Sequence, residues 1–243
     1  AEVAKIIGVH PNTVRLYEEC GFIATPHRLS NGYRVFTDLH IEQFRLARTA
    51  LKVEVLQSGL RRQIIHIIKL SAKCEFQKAM VATRDYIRRV QMERENAEEA
   101  LVITKSLLCG IHGDTETLSR TRKQAAEYLG VTMDTLRNWE LNGLFSVKRR
   151  QNGYRVYTWE DLQMLKIIRS LRCANYSLAA ILRMLGAVSK NSEIDIRKVL
   201  DTPKTDETII TACDKLLTSL DSAEANAEQM LRWLEAMKKQ FGG

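Results

Sequence analysis

The chain has 243 residues, 45% of them apolar and 27% charged, with only three prolines. That is room for two small, mostly helical domains, and it excludes a disordered or low-complexity chain. The net charge of +8 points to a polyanionic partner, and without a run of 18 apolar residues to span a membrane the expected location is cytoplasmic.

Val3, Ala4, Ile6 and Ile7 make a short apolar stripe that stops at Gly8. A second helix can start at Pro11, where a missing N–H costs nothing in the first turn. Helix, tight turn, helix is the result, with Asn12, Thr13 and Arg15 on the side away from Val14. Polar side chains in the first half of such a second helix are where a helix-turn-helix protein meets the major groove. After Gly21 the run His27-Arg28-Leu29-Ser30-Asn31-Gly32-Tyr33-Arg34 places cations on both sides of an Asn-Gly. Asn-Gly supplies the positive φ angles of a tight hairpin, so a two-stranded wing is predicted. Its Arg28, Tyr33 and Arg34 offer charge and a directional hydroxyl to phosphates.

Behind the wing a helix over 38–51 carries Leu39, Phe44, Leu46 and Ala47 on its apolar side, and the stretch from Leu56 to Leu60 is less regular. Phe76, Met80, Thr83, Ile87, Val90, Arg94, Ala97, Leu101, Thr104 and Leu108 then alternate spacings of four and three. A strict heptad of this length predicts a coiled-coil seam that needs a partner.

The sequence then repeats itself. Gly130-Val131, Thr135-Leu136-Arg137-Asn138-Trp139-Glu140 and Gly143 return what Gly8-Val9, Thr13-Val14-Arg15-Leu16-Tyr17-Glu18 and Gly21 gave, and Asn152-Gly153-Tyr154-Arg155 returns Asn31-Gly32-Tyr33-Arg34. Thr132 can cap the second helix of this copy. Thr135 and Arg137 lie on its polar face, and Lys148, Arg149, Arg150, Tyr154 and Arg155 form its wing. Residues 120–183 carry a net +7 against +3 for residues 1–67, so the second copy is expected to hold phosphate more strongly. A helix from Trp159 to Leu171 follows, then another capped by Ser177 with Leu178, Ile181, Leu182 and Leu185 buried. A second seam runs through Ile209, Cys213, Leu216, Leu220, Ala223, Ala227, Met230, Leu234 and Met237. The fold class is therefore all-α with small β-wings. The predicted divisions are winged domains over 1–67 and 119–187, coiled-coil helices over 68–110 and 207–239, and linkers over 111–118 and 188–206.

The ordered set of a helix-turn-helix, Arg-x-aromatic-Glu, a glycine and a basic wing ending in Asn-Gly-Tyr-Arg resembles the MerR family of bacterial transcription regulators, over about 1–67 and again over about 119–187. The resemblance implies DNA contacts at Arg15, Tyr17, Arg28, Tyr33 and Arg34 in the first copy, and at Arg137, Trp139, Arg149, Tyr154 and Arg155 in the second. It also implies a double-stranded operator with an imperfect inverted repeat, placed between promoter elements whose geometry is altered for RNA polymerase. Many members have an aromatic where Leu16 and Asn138 stand, and Trp139 replaces a tyrosine, which implies that the copies read different half-sites. Such proteins dimerise through an antiparallel helix pair, and here both helices can come from one chain. The expectation is a monomeric pseudo-dimer, with a homodimer of two chains as the competing arrangement.

The five cysteines (Cys20, Cys74, Cys109, Cys173 and Cys213) are scattered and odd in number, the pattern of buried thiols in a reducing compartment. Cys74 and Cys109 would stand about 50 Å apart along a continuous helix, so one chain supplies no three- or four-ligand set, and neither a metal nor another cofactor is predicted. No paired carboxylates, phosphate loop or nucleophile elbow points to an enzyme. The alternative function is binding or sequestering of a small drug-like molecule, a possible inducer, through Trp139, Trp159, Trp233 or Phe76.

Overall fold

The computed structural model describes residues 2–52, 59–108, 119–148, 153–179, 181–182, 185 and 209–242. Its elements are α1 (Glu2–Ile7), α2 (Pro11–Glu19), β1 (His27–Arg28), β2 (Arg34–Val35), α3 (Asp38–Ala50), α4 (Leu60–Ala72), α5 (Phe76–Leu108), α6 (Arg122–Leu129), α7 (Met133–Leu141), α8 (Trp159–Cys173) and α9 (Ile209–Phe241). Two compact units result, Ala1–Met92 with Ser219–Gly243 and Glu93–Thr218. Their boundaries fall inside the long helices α5 and α9. α4 runs to Ala72, past the division expected at residue 67.

In the first unit α1 packs on α2 and α3, and α3 on α4. Val14 and Tyr17 of α2 are buried, as are Phe44, Leu46 and Ala47 of α3. The Tyr17 ring stacks on Phe44 at 5.7 Å and meets Phe22 edge-on at 5.6 Å. Gln43 is the polar tie of this core. Its Oε1 accepts the Ala24 N–H at 2.7 Å, and its Nε2 donates to the Ser71 carbonyl at 2.9 Å, so the strand-like segment after α2 is anchored to both α3 and α4. Each fully buried large aliphatic or aromatic side chain here is worth about 1.5–3 kcal/mol relative to exposure.

Within this unit α5 and α9 are antiparallel. Gln77 pairs with Lys238 at 2.8 Å, Arg84 with Glu235 at 3.7 Å and Gln91 with Glu224 at 2.6 Å, one number rising as the other falls. On α9 the expected seam residues Leu216, Leu220, Ala223, Ala227, Met230, Leu234 and Met237 are all buried, while the side chains of Ile209 and Cys213 lie outside the described residues. On α5 three members of the expected seam are displaced by one residue. Phe76, Thr83, Val90, Ala97 and Thr104 are buried as predicted, but their companions are Ala79, Tyr86, Glu93 and Ala100 in place of Ile87, Arg94 and Leu101. Met80 is also buried, whereas Leu108 is undescribed as a side chain. Apolarity alone picked Ile87 and Leu101 over Tyr86 and Ala100. The seam instead admits small residues and one polar residue whose partner lies elsewhere in the chain.

That partner is in the second unit, where the Glu93 carboxylate accepts two hydrogen bonds from Arg169 of α8, at 2.7 and 2.9 Å. Ser170 adds a bond to the Asn96 carbonyl at 3.3 Å, and Lys166 pairs with Glu99. Ala100 and Ile103 of α5 then join Leu136, Trp139, Tyr157, Leu162, Leu165 and Ile168 in one core. Three threonines start the helices. Thr121 and Thr158 form reciprocal capping boxes with Gln124 and Asp161, and Thr132 accepts the Thr135 N–H at 3.1 Å as predicted.

Beyond α8, Ser177 accepts the Ile181 N–H through its carbonyl at 3.0 Å and Ile181 is buried. Leu182 departs from expectation, because its side of the turn is exposed, while Leu178 and Leu185 pack partly on the core. The expectation of buried thiols holds for Cys173, but Cys20 is half-buried and Cys74 exposed. Cys74 adopts φ +58° where the chain turns from α4 into α5. Cys109 lies outside the described residues.

Candidate nucleic-acid interface

In the first unit α2 begins with Pro11 at its first turn, and the His10 Nδ1 accepts the Asn12 N–H at 3.2 Å. The inward turn of Val14 and Tyr17 leaves Asn12, Arg15 and Leu16 exposed and Thr13 half-buried. Among the described residues the side chains of Asn12 and Arg15 have no protein partner. α7 repeats the arrangement in the second unit. Leu136 and Trp139 are buried while Asp134, Arg137 and Asn138 are exposed, and the half-buried Thr135 hydroxyl is shared with the capping Thr132 at 2.8 Å.

The first wing pairs β1 with β2 antiparallel in the register His27 with Val35 and Arg28 with Arg34. Its turn differs from the tight Asn-Gly hairpin predicted. Only Gly32 has positive φ, at +80°; the Gly32 N–H reaches the Leu29 carbonyl at 2.8 Å and the Leu29 N–H reaches the Tyr33 carbonyl at 2.9 Å, giving a three-residue loop. Asn31 acts through its side chain, whose Oδ1 accepts the Tyr33 N–H at 3.1 Å. Tyr33 is left standing at the tip, 72% exposed. In the second wing Tyr154 is equally exposed, and the Val156 N–H donates to the Lys148 carbonyl at 3.0 Å. Arg149 and Arg150 lie outside the described residues.

Each wing is tied to the second helix of its own helix-turn-helix by one glutamate. Glu18 of α2 takes Arg28 at 3.2 Å and the Nε of Arg34. Glu140 of α7 takes the Nε of Arg155 at 2.7 Å and Arg122, from the start of α6, at 3.0 Å. Arg122 also reaches the Tyr157 hydroxyl at 3.4 Å. The carboxylates are nearly covered, with side-chain exposures of 12% and 17%. Charge-assisted bonds in so sheltered a place are stronger than surface ion pairs. The arginines therefore arrive at the surface already aimed.

Tyr17 and Trp139, expected as DNA contacts, are core residues in the structure. Tyr17 is 9% and Trp139 4% exposed; burial pushes the Tyr17 phenol above its ordinary pKa, against the opposing pull of Arg48. Their place in Arg-x-aromatic-Glu is explained by spacing, since they fall three residues after Val14 or Leu136 on the inward face. Phe76 is likewise buried, and Trp159 packs against Tyr128 at 6.4 Å. The sequence reading assigned no role to Glu18, Glu140, Arg122 or His10. The glutamates could have been found from their repetition one residue after the aromatic in both copies.

Between α1, the start of α2 and the first wing runs a groove of about 790 Å³, lined by Val3, Pro11, Arg15, Tyr33 and Arg34. The second unit has a smaller one of about 330 Å³ between the start of α6 and its wing, lined by Arg120, Arg122, Tyr154 and Arg155. The Arg120 guanidinium lies 4.1 Å over the Tyr128 ring, with the Lys166 ammonium 4.6 Å from the same ring. No cluster of three or more potential metal ligands occurs among the described residues.

Comparison with known proteins agrees with this geometry in both units. Residues 121–187 match the family model of MerR HTH family regulatory proteins, and residues 1–36 match that of MerR family regulatory proteins. The HTH-type transcriptional regulator CueR of Escherichia coli O157:H7 is 42% identical over 53 residues, 22% of this chain and 39% of its own length. CueR of Salmonella typhi is 40% identical over 53 residues, 22% of this chain and 38% of its length. A ZntR homolog of Haemophilus influenzae, also an HTH-type transcriptional regulator, is 37% identical over 79 residues, 31% of this chain and 58% of its length. The chain thus spans between about two fifths and three fifths of these relatives. No solved structure matches it.

Proposed function

Since the chain belongs to the MerR family and carries the family's motif twice, we propose that it is a DNA-binding transcriptional regulator whose two winged units read the two halves of one operator. The observation that carries this reading is the recurrence of a single device. In each unit the second helix presents an arginine, Arg15 or Arg137, that has no partner among the described residues, and grips its own wing arginine through Glu18 or Glu140. A plain surface hairpin has no need of such a tie. In this reading Asn12, Thr13 and Arg15 of the first unit, and Thr135 and Arg137 of the second, enter a major groove, while Arg28, Tyr33, Arg34, Lys148, Arg149, Arg150, Tyr154 and Arg155 hold phosphates.

The operator is an imperfect inverted repeat, and the protein acts on it by binding, altering promoter geometry for RNA polymerase through deformation of the DNA between its half-sites. The antiparallel pairing of residues 76–92 with 219–241 supports one chain acting as a pseudo-dimer. The test is selection of bound duplexes from a random pool at moderate salt, followed by the molar mass of the complex. Enrichment of an imperfect inverted repeat bound by one 27.8 kDa chain is expected. A folded protein that enriches nothing would overturn the reading, and a complex holding two chains would replace the pseudo-dimer with a homodimer.

A further inference from the structure

We infer that Asn12 and Asp134 are the residues that make the two half-sites differ, the first selecting adenine and the second cytosine at the matched position. This rests on the DNA-binding reading above and deepens it. α2 and α7 are both nine residues long and agree at every position that fixes their rotation. Val14 and Leu136 are buried, as are Tyr17 and Trp139; Arg15 and Arg137 are exposed, and Glu18 and Glu140 hold the wing arginines. Asn12 and Asp134 therefore occupy one and the same place, second in the helix and exposed, three residues before the arginine and on its face. Among the described residues neither side chain has a protein partner.

At that place the two units offer opposite chemistry. The Asn12 amide is donor and acceptor together, which matches adenine N6 and N7. The Asp134 carboxylate is acceptor only, so it accepts from the cytosine N4 amine and is repelled by purine N7, guanine O6 and thymine O4. The next residue on the same face differs in the same sense. Leu16 is 53% exposed and offers methyl groups to a thymine methyl, while Asn138 is polar and has its amide oxygen held by Asn142 at 2.9 Å. The shared Arg15 and Arg137 keep part of the half-site common, and the residues flanking them divide the rest.

The test is repetition of the random-pool selection with the full chain carrying Asp134→Asn, and separately Asn12→Asp, both close to isosteric at exposed positions. The expected result is that Asp134→Asn converts one cytosine preference to adenine, with about a tenfold change in relative affinity, and makes the operator more symmetric. Asn12→Asp should convert the other half-site in the opposite direction. Thermal melts report helix stability separately, since an anion near a helix N-terminus also stabilises it. An unchanged base preference in Asp134→Asn, with or without a lowered melting temperature, overturns the inference while leaving the DNA-binding reading intact. Failure of the unaltered chain to select any DNA overturns both.

Discussion

Replacing Glu93 by alanine should destabilise the second unit by about 3–5 kcal/mol, the cost of leaving one member of a buried ion pair without its partner. The figure follows from the local structure. Glu93 is 4% exposed, the Arg169 side chain 12%, and two bonds of 2.7 and 2.9 Å join them side by side. Alanine removes both acceptors and leaves a guanidinium beneath α5 that cannot be deprotonated. At roughly 3–5 °C per kcal/mol for a unit of this size, the melting temperature should fall by about 10–20 °C. Urea unfolding followed by tryptophan fluorescence isolates the effect in a Trp233→Phe background, because Trp139 and Trp159 both lie in the second unit. Replacing the pair by an apolar one, Glu93→Leu with Arg169→Met, should cost under about 1 kcal/mol or even stabilise. A loss below about 1 kcal/mol for Glu93→Ala alone would refute the claim that this pair holds α5 to α8.

Three further outcomes follow from the structure. Glu140→Gln keeps Arg122 and Arg155 cationic but removes the group that aims them, so affinity for every DNA sequence should fall about tenfold with no flattening of its salt dependence. Arg155→Ala should lower affinity and flatten the log–log salt slope by about one unit, and an unchanged slope there would take the second wing out of the interface. Tyr86, sealed in the seam of the first unit, has its pKa pushed up to about 12 by burial. A folded value above the unfolded one near 10 means stability that is intact below pH 10 and lost as the pH rises toward 12. Melts between pH 9 and 12 should show that loss in the native chain and its weakening in Tyr86→Phe; equal pH dependence in both would remove Tyr86 as the cause.

The duplicated helix-turn-helix was legible because each copy obeys local rules. Pro11 and Thr132 mark where a helix begins, and Val14, Tyr17, Leu136 and Trp139 recur at inward spacings. The same periodicity places Tyr17 and Trp139 on the buried face, three residues after Val14 and Leu136. The wing was visible as a hairpin, yet its loop length depended on the backbone at Asn31, which tolerates either sign of φ. The α9 seam could be read outright, since its buried positions are apolar or alanine. α5 could not be read in the same way. Its buried Glu93 makes sense only beside Arg169, 76 residues along the chain, and no pattern of neighbours announces such a pairing.

The two units differ in how much chain must exist before each can close. Glu93–Thr218 is one continuous stretch, whereas the first unit needs Ser219–Gly243 laid against residues 76–92. On a ribosome, which releases the N-terminus first, the unit that begins the chain is therefore the last to be finished. Until then Phe76, Val90 and their neighbours on α5 wait without the helix that covers them. A nascent chain halted after Thr218 should already protect Trp139 while leaving the seam of the first unit open, so this duplicated protein completes its halves in the reverse of the order in which they are made.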